Sequence, residues 1–102
     1  MIYIFFTCIN PAEAKRIIHQ LLDRRLIACA SIIPEVQSIY RWEGKIEESK
    51  ESKVILKTVS KHFDAIEQLI KKLSSYDVTE IIQVEISKVN APYLCWVHQE
   101  CS

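Results

Sequence analysis

The sequence predicts an α+β domain in which two helices cover one face of a four-stranded antiparallel sheet, and three observations predict it. Two segments carry apolar residues at helical spacing, one after Asn10 and one after Ser60. Two long strand-like arms flank the only glycine, Gly44. An apolar run at the N-terminus and an alternating run near the C-terminus supply the remaining strands. With 102 residues, 49% hydrophobic and 25% charged, the chain fits one domain over 1–102 and has no room for a second core.

The first element is the apolar run Met1-Ile2-Tyr3-Ile4-Phe5-Phe6, which has no basic residues ahead of it and is far too short to span a bilayer. It reads as a core strand. Asn10-Pro11-Ala12-Glu13 then opens a helix, with Asn10 as N-cap, Pro11 at the first helical position and Glu13 three residues past the cap. Ala14, Ile17, Ile18, Leu21 and Leu22 form its apolar stripe, and Arg24 and Arg25 suit its negative C-terminal end. The arms follow: Ile27 to Trp42, interrupted by Pro34, and Lys45 to Thr58, ending in alternating Val54, Leu56 and Thr58. A second helix starts at Ser60 and is expected to bury Phe63, Ile66, Ile70 and Leu73. Val78 to Val89 shows strand alternation, with Ile82, Val84 and Ile86 on one side. Asn90-Ala91-Pro92 opens a short C-terminal helix through Tyr93, Leu94 and Val97. Strand, helix, hairpin, helix, strand and terminal helix is the split βαβ order of ferredoxin-like folds.

An unbroken strand from Ile27 to Trp42 would run roughly 50 Å, against a radius of gyration of about 13 Å for a globule of this length. The arms must therefore bend, for which Pro34 is the place, or project beyond the core. A projecting edge with Tyr40 and Trp42 on one face invites pairing, so these two residues are expected at a subunit interface. The sheet face without helices carries apolar residues from the arms, and self-association would cover it.

Thirteen Lys+Arg balance thirteen Asp+Glu. No net field draws in nucleic acid or an anionic membrane, and neither is expected as a partner. Cys8, Cys29, Cys95 and Cys101 include no C-x-x-C pair, and the first three sit among apolar neighbours. They read as reduced thiols in a cytoplasmic protein, with free cysteine acting as a small hydrophobe. His19 and His62 read as surface residues without a catalytic role.

The blocks Ala28-Cys29-Ala30 with Ile32-Ile33-Pro34, Ser38-x-Tyr40-x-Trp42-x-Gly44-Lys45, Glu51 with Ile55-Leu56-Lys57-Thr58, Tyr76 with Glu80-Ile81, and Tyr93-Leu94-x-Trp96 span nearly the whole chain. In this set and spacing the sequence resembles the CutA family, named for divalent-cation tolerance. The resemblance implies a homotrimer in which hairpin strands of one subunit run onto the next. It also implies a role in tolerance of copper or other divalent cations, with Cys29 as the inherited metal ligand. Departures from the family pattern are Ser74-Ser75 before Tyr76, Thr79 before Glu80, Leu73 at or beside a histidine position, and Phe6 at a first-strand cysteine position, with Cys8 two residues on.

Copper prefers thiolate and imidazole, so the metal candidates are Cys29 and the local pair Cys95 and His98, three apart on one helix face with Cys101 nearby. No cofactor is required for such a protein; copper or another divalent cation is the implied ligand. Glu51, Lys57, Tyr76 and Glu80 fall where the resemblance is closest and are expected to line an intersubunit pocket for a small anion or a metal-bearing ligand, with a structural salt bridge as the competing role. The sequence has no Gly-rich phosphate loop and no nucleophile and base at a recognisable spacing, so no catalytic residue is assigned. Two other classes share the architecture. An acylphosphatase would use an arginine and an asparagine near the first loop, where Asn10 is better explained as a cap. A PII-like trimeric signalling module or scaffold would bind a small ligand at subunit clefts.

Overall fold

In the computed structural model, which describes residues 1–102, strand β1 (Ile2–Cys8) lies inside a four-stranded sheet of order β2-β3-β1-β4. Its neighbours are β3 (Lys45–Thr58) and β4 (Ile81–Glu85), and β2 (Cys29–Trp42) forms the opposite edge; every pairing is antiparallel. Helices α1 (Pro11–Asp23) and α2 (Phe63–Leu73) cover one face, and α3 (Ala91–Glu100) packs at one end. This is the expected α+β order. No helix is long and apolar enough to cross a membrane.

The closed side of the sheet follows from alternation. Ile2, Ile4 and Phe6 of β1, with Val54 and Leu56 of β3, meet Ala14, Ile17 and Leu21 of α1 and Ile66 and Ile70 of α2, all at most 1% exposed. Each of these valine, leucine, isoleucine and phenylalanine side chains contributes about 1.5–3 kcal/mol relative to exposure. Helix α1 starts as its sequence requires: Asn10 Oδ1 accepts from Glu13 N at 2.9 Å. Beyond the sequence reading of α2, Leu69 joins the buried stripe, while Phe63 and Leu73 are only partly buried. Ser60–His62 forms a 3-10 turn ahead of the helix proper.

The two arms form a hairpin closed by Glu43 (φ 50) and Gly44 (φ 80) between the paired Trp42 and Lys45. Two consecutive positive φ values define the turn whose twist matches that of the strands, and glycine meets the requirement without strain. Beyond its two chain neighbours, no residue lies within 4 Å of where a Gly44 side chain would begin, so conformation and not space demands it. Pro34 bends the arm through a bulge. Ile33 pairs with Lys53 and Val36 with Glu51, so Pro34 and Glu35 (φ 56) together oppose Ser52 alone. The hairpin beyond the bulge gives the molecule its extents of 45 × 26 × 21 Å.

Three expectations need correction. The last strand covers Ile81–Glu85 and not Val78–Val89, because β1 offers partners only from Phe6, opposite Ile81, to Ile2, opposite Glu85. Cys101, expected beside the Cys95 and His98 pair, is 1% exposed, whereas Cys95 is exposed. Cys101 follows Val97 by four residues and shares its buried face, whereas Cys95 lies on the other side of α3. His62 is half-buried, with Nε2 2.8 Å from the Cys101 carbonyl, which ties the α2 start to the chain end.

Candidate functional site

The sheet face opposite the helices carries Tyr3 and Phe5 of β1, Lys53, Ile55 and Lys57 of β3, and Ile82 and Val84 of β4. Lysine stems partly cover the rings: Lys53 Nζ lies 5.5 Å from the Phe5 centroid and Lys57 Nζ 5.9 Å from that of Tyr3. The bulge decides which residues of β2 join this face. Ahead of it Cys29, Ser31 and Ile33 point there; the extra residue switches parity, so Val36, Ser38, Tyr40 and Trp42 follow. Without it, Ile39 and Arg41 would take the places of Tyr40 and Trp42.

Where the hairpin leaves the core, this face meets the segment between α2 and β4, and a groove of about 620 Å³ opens between them. Tyr40 and Trp42 line its hairpin side, Glu51 and Lys53 its floor, and Tyr76, Asp77 and Glu80 its other wall. The 74–80 segment is held in place by short-range polar contacts. Ser74 Oγ accepts from Tyr76 N at 3.1 Å and from Thr79 Oγ1 at 3.1 Å, and Ser74 N donates to the Ile70 carbonyl at 2.8 Å. Glu13, 7% exposed, ties the segment to α1: Oε1 accepts from Ser75 N at 3.0 Å and Oε2 from Ile9 N at 3.3 Å.

Inside the groove, the Ser38 hydroxyl donates to Glu51 Oε2. Tyr76 has its phenol pushed up, first by burial and then by the neighbouring Glu51 carboxylate. Lys53 Nζ pairs with Glu80 Oε2 at 3.1 Å, yet that oxygen is buried without a donor in hydrogen-bond geometry. Of the four residues expected to form one pocket, Glu51, Tyr76 and Glu80 come together and Lys57 does not. Lys57 donates to the Ser31 hydroxyl over the Tyr3 ring, four residues beyond Lys53 along β3, about 13 Å at strand rise. Lys53 occupies the expected role. It was legible in the sequence as the lysine two residues from Glu51, which a strand places on the same side. Asp77, Ser38 and the tether Glu13 carried no such signal.

The metal candidates stay apart. Cys29 is half-buried, its Sγ 3.7 Å from the Tyr93 hydroxyl, and burial together with this thiol raises the Tyr93 phenol to about 12. Cys95 and His98 share an exposed face of α3, and Cys101, expected near them, is buried with Sγ 3.6 Å from Thr58 Oγ1. No three His, Cys, Asp or Glu side chains converge as a metal-ligating group. Burial raises the Cys8 thiol to about 11 and pushes that of Cys101 up as well, away from thiolate character.

The family model described as CutA1 divalent ion tolerance protein matches residues 2–100. Protein CutA of Mus musculus is 41% identical over 95 residues, which are 93% of this chain and 54% of the mouse protein; the chain spans about half the length of that relative. The divalent-cation tolerance protein CutA of Pyrococcus horikoshii is 41% identical over 100 residues, 98% of this chain and 97% of that one. Among solved structures, CutA1 from Pyrococcus horikoshii superimposes with a TM-score of 0.94 at 38% identity, covering 100% of this chain and 99% of its own. The periplasmic divalent cation tolerance protein CutA from Archaeoglobus fulgidus gives 0.96 at 33% identity with 100% of both chains covered.

Proposed function

The chain belongs to the CutA1 divalent ion tolerance family, and on that premise we propose that it contributes to divalent-metal tolerance as a homotrimer without catalysis of its own. The observation that carries the assembly is the unfinished side of the sheet. Ile82 and Val84 are 48% and 38% exposed on an edge strand, and Tyr40 and Trp42 are 41% and 44% exposed on the projecting hairpin. Both edges, β2 and β4, have unpaired backbone groups, and they are of opposite character: one long and projecting, the other short. Head-to-tail pairing of one subunit's β2 with the next subunit's β4 closes a ring and covers the apolar face. Tyr40 and Trp42 then belong to the interface that bounds the groove.

Copper or another divalent cation is the proposed ligand. Cys95 and His98 offer two soft donors on one helix face, and Cys29 a third elsewhere; in one chain these are parts of a site, which a neighbouring subunit would have to complete. The unpaired state of all four thiols supports a reducing, cytoplasmic setting. Native mass spectrometry with stoichiometric copper and zinc under a competing chelator tests the metal step. About one copper retained per subunit, lost in Cys95→Ser or Cys29→Ser, supports direct handling; a metal-free trimer removes it. In that second case the groove supports a different reading, a trimeric scaffold or PII-like module that binds a small ligand beside the hairpin.

A further inference from the structure

We propose that the groove takes an organic cation, an alkylammonium or guanidinium group whose charge sits on Glu51 and whose stem lies against Tyr40 and Trp42. The inference rests on the small-ligand reading of this groove and gives it a charge and a shape.

The charge follows from the groove's own inventory. Its lining includes three carboxylates, Glu51, Asp77 and Glu80, and one cation, Lys53. Lys53 is already paired with Glu80. Glu51 forms no ion pair, and its Oε2 accepts from the Ser38 hydroxyl. Lys57, the cation that an anion site would need, lies outside the groove against Ser31 and Tyr3. Lys45 is carried to the hairpin tip, opposite Trp42. An incoming anion would meet net negative charge with no free donor cation, whereas an incoming ammonium neutralises Glu51, the carboxylate that no cation of the chain meets.

The shape separates an organic cation from a metal ion. A groove of about 620 Å³ exceeds what one hydrated ion fills, and no three ligating side chains converge in it. Tyr40, Trp42 and Tyr76 supply aromatic faces, which attract a cation and cover its alkyl stem. The Ser38 hydroxyl that donates to Glu51 holds its carboxylate in one place, the preorganisation that a single-charge site needs.

The test is calorimetric titration of the whole purified protein with n-pentylammonium and n-propylguanidinium, beside pentanoate, inorganic phosphate, 1-pentanol and magnesium at fixed ionic strength. Both organic cations are expected to bind and the other four to bind at least tenfold more weakly. Glu51→Gln, which keeps the side chain's shape, is expected to lose on the order of tenfold in affinity. Should Glu51→Gln fail to fold, Trp42→Leu and Asp77→Asn carry the test with losses of a few-fold each, together with upfield shifts of the pentyl protons in the wild-type protein. Binding of pentanoate, phosphate or magnesium as tight as the amines overturns the proposal, as does an unchanged affinity in Glu51→Gln or no binding of either cation. Native mass spectrometry on the same sample separates this outcome from the assembly: a monomer that binds the amines keeps the groove assignment and loses the ring, and a trimer that ignores them does the opposite.

Discussion

The two faces of the one sheet make opposite use of neighbouring residues. On the helix side, Ile4, Phe6, Val54 and Leu56 are wholly buried within a single chain. On the other side, Phe5 and Ile55 alternate with them along the same strands and, with Ile82 and Val84 of β4, are covered by no helix; Phe5 has the Tyr3 ring at 6.4 Å and the Lys53 ammonium at 5.5 Å. The closed face therefore sets whether the chain folds, and the open face sets what the folded chain meets. Adjacent positions on one strand should separate the two roles.

Leu56 and Ile55 make that separation directly. Leu56→Ala is expected to lower the unfolding free energy by about 2–5 kcal/mol through transfer loss and an unfilled cavity. Ile55→Ala should leave single-chain folding closer to wild type and act on the concentration dependence of melting, measured by denaturant titration at several protein concentrations. Equal effects from both would erase the distinction between the faces.

Alkaline pH probes the closed face next. Burial, then the charge of Glu13, raises the Cys8 thiol from 9.0 to about 11. The folded state thus holds this proton more tightly than the unfolded chain. The Cys8 contribution is intact below pH 9 and declines as pH rises through about 11, by about 2–3 kcal/mol in all. Tyr93, raised to about 12, acts in the same direction at still higher pH. Cys8→Ala should flatten the decline between pH 9 and 11 in chemical denaturation, and an unchanged profile would place the sensitivity elsewhere.

A smaller effect is expected at the start of α1. Asn10→Ala removes the cap on Glu13 N and should cost about 1 kcal/mol. Because Glu13 also holds Ser75, hydrogen exchange in the 74–80 segment should rise with it; a loss confined to α1 would show the two ends of Glu13 to be independent. The smallest effect is at the bulge, where the buried Ser52 hydroxyl has no partner. Ser52→Ala should be neutral or stabilising by up to about 1 kcal/mol in thermal melts, and a marked loss would reveal a partner for that hydroxyl.

Much of this was legible in the residues themselves. Asn10, Pro11 and Glu13 mark a helix start by local chemistry, Gly44 marks the turn by its backbone freedom, and Pro34 marks the bend because it cannot donate in a ladder. What could not be read is where strands stop and which of several like residues arrive together. The length of β4 is set by β1, a partner distant in sequence, so alternation from Val78 to Val89 overstated it. Lys53 and Lys57 share one side of β3, and only the position of the 74–80 segment decides which of them meets Glu80. The orientation of α3 likewise decides that Cys101 and not Cys95 is buried.

The measurement that bears most directly on the open face is sedimentation equilibrium of the wild-type protein beside a variant combining Ile82→Asp with Val84→Asp. The expected result is a wild-type mass three times that of the 11.9 kDa chain, with the variant keeping its helical circular dichroism while sedimenting as a single chain. A wild-type protein that sediments at the mass of one chain, unaffected by two aspartates on its open face, would contradict the account.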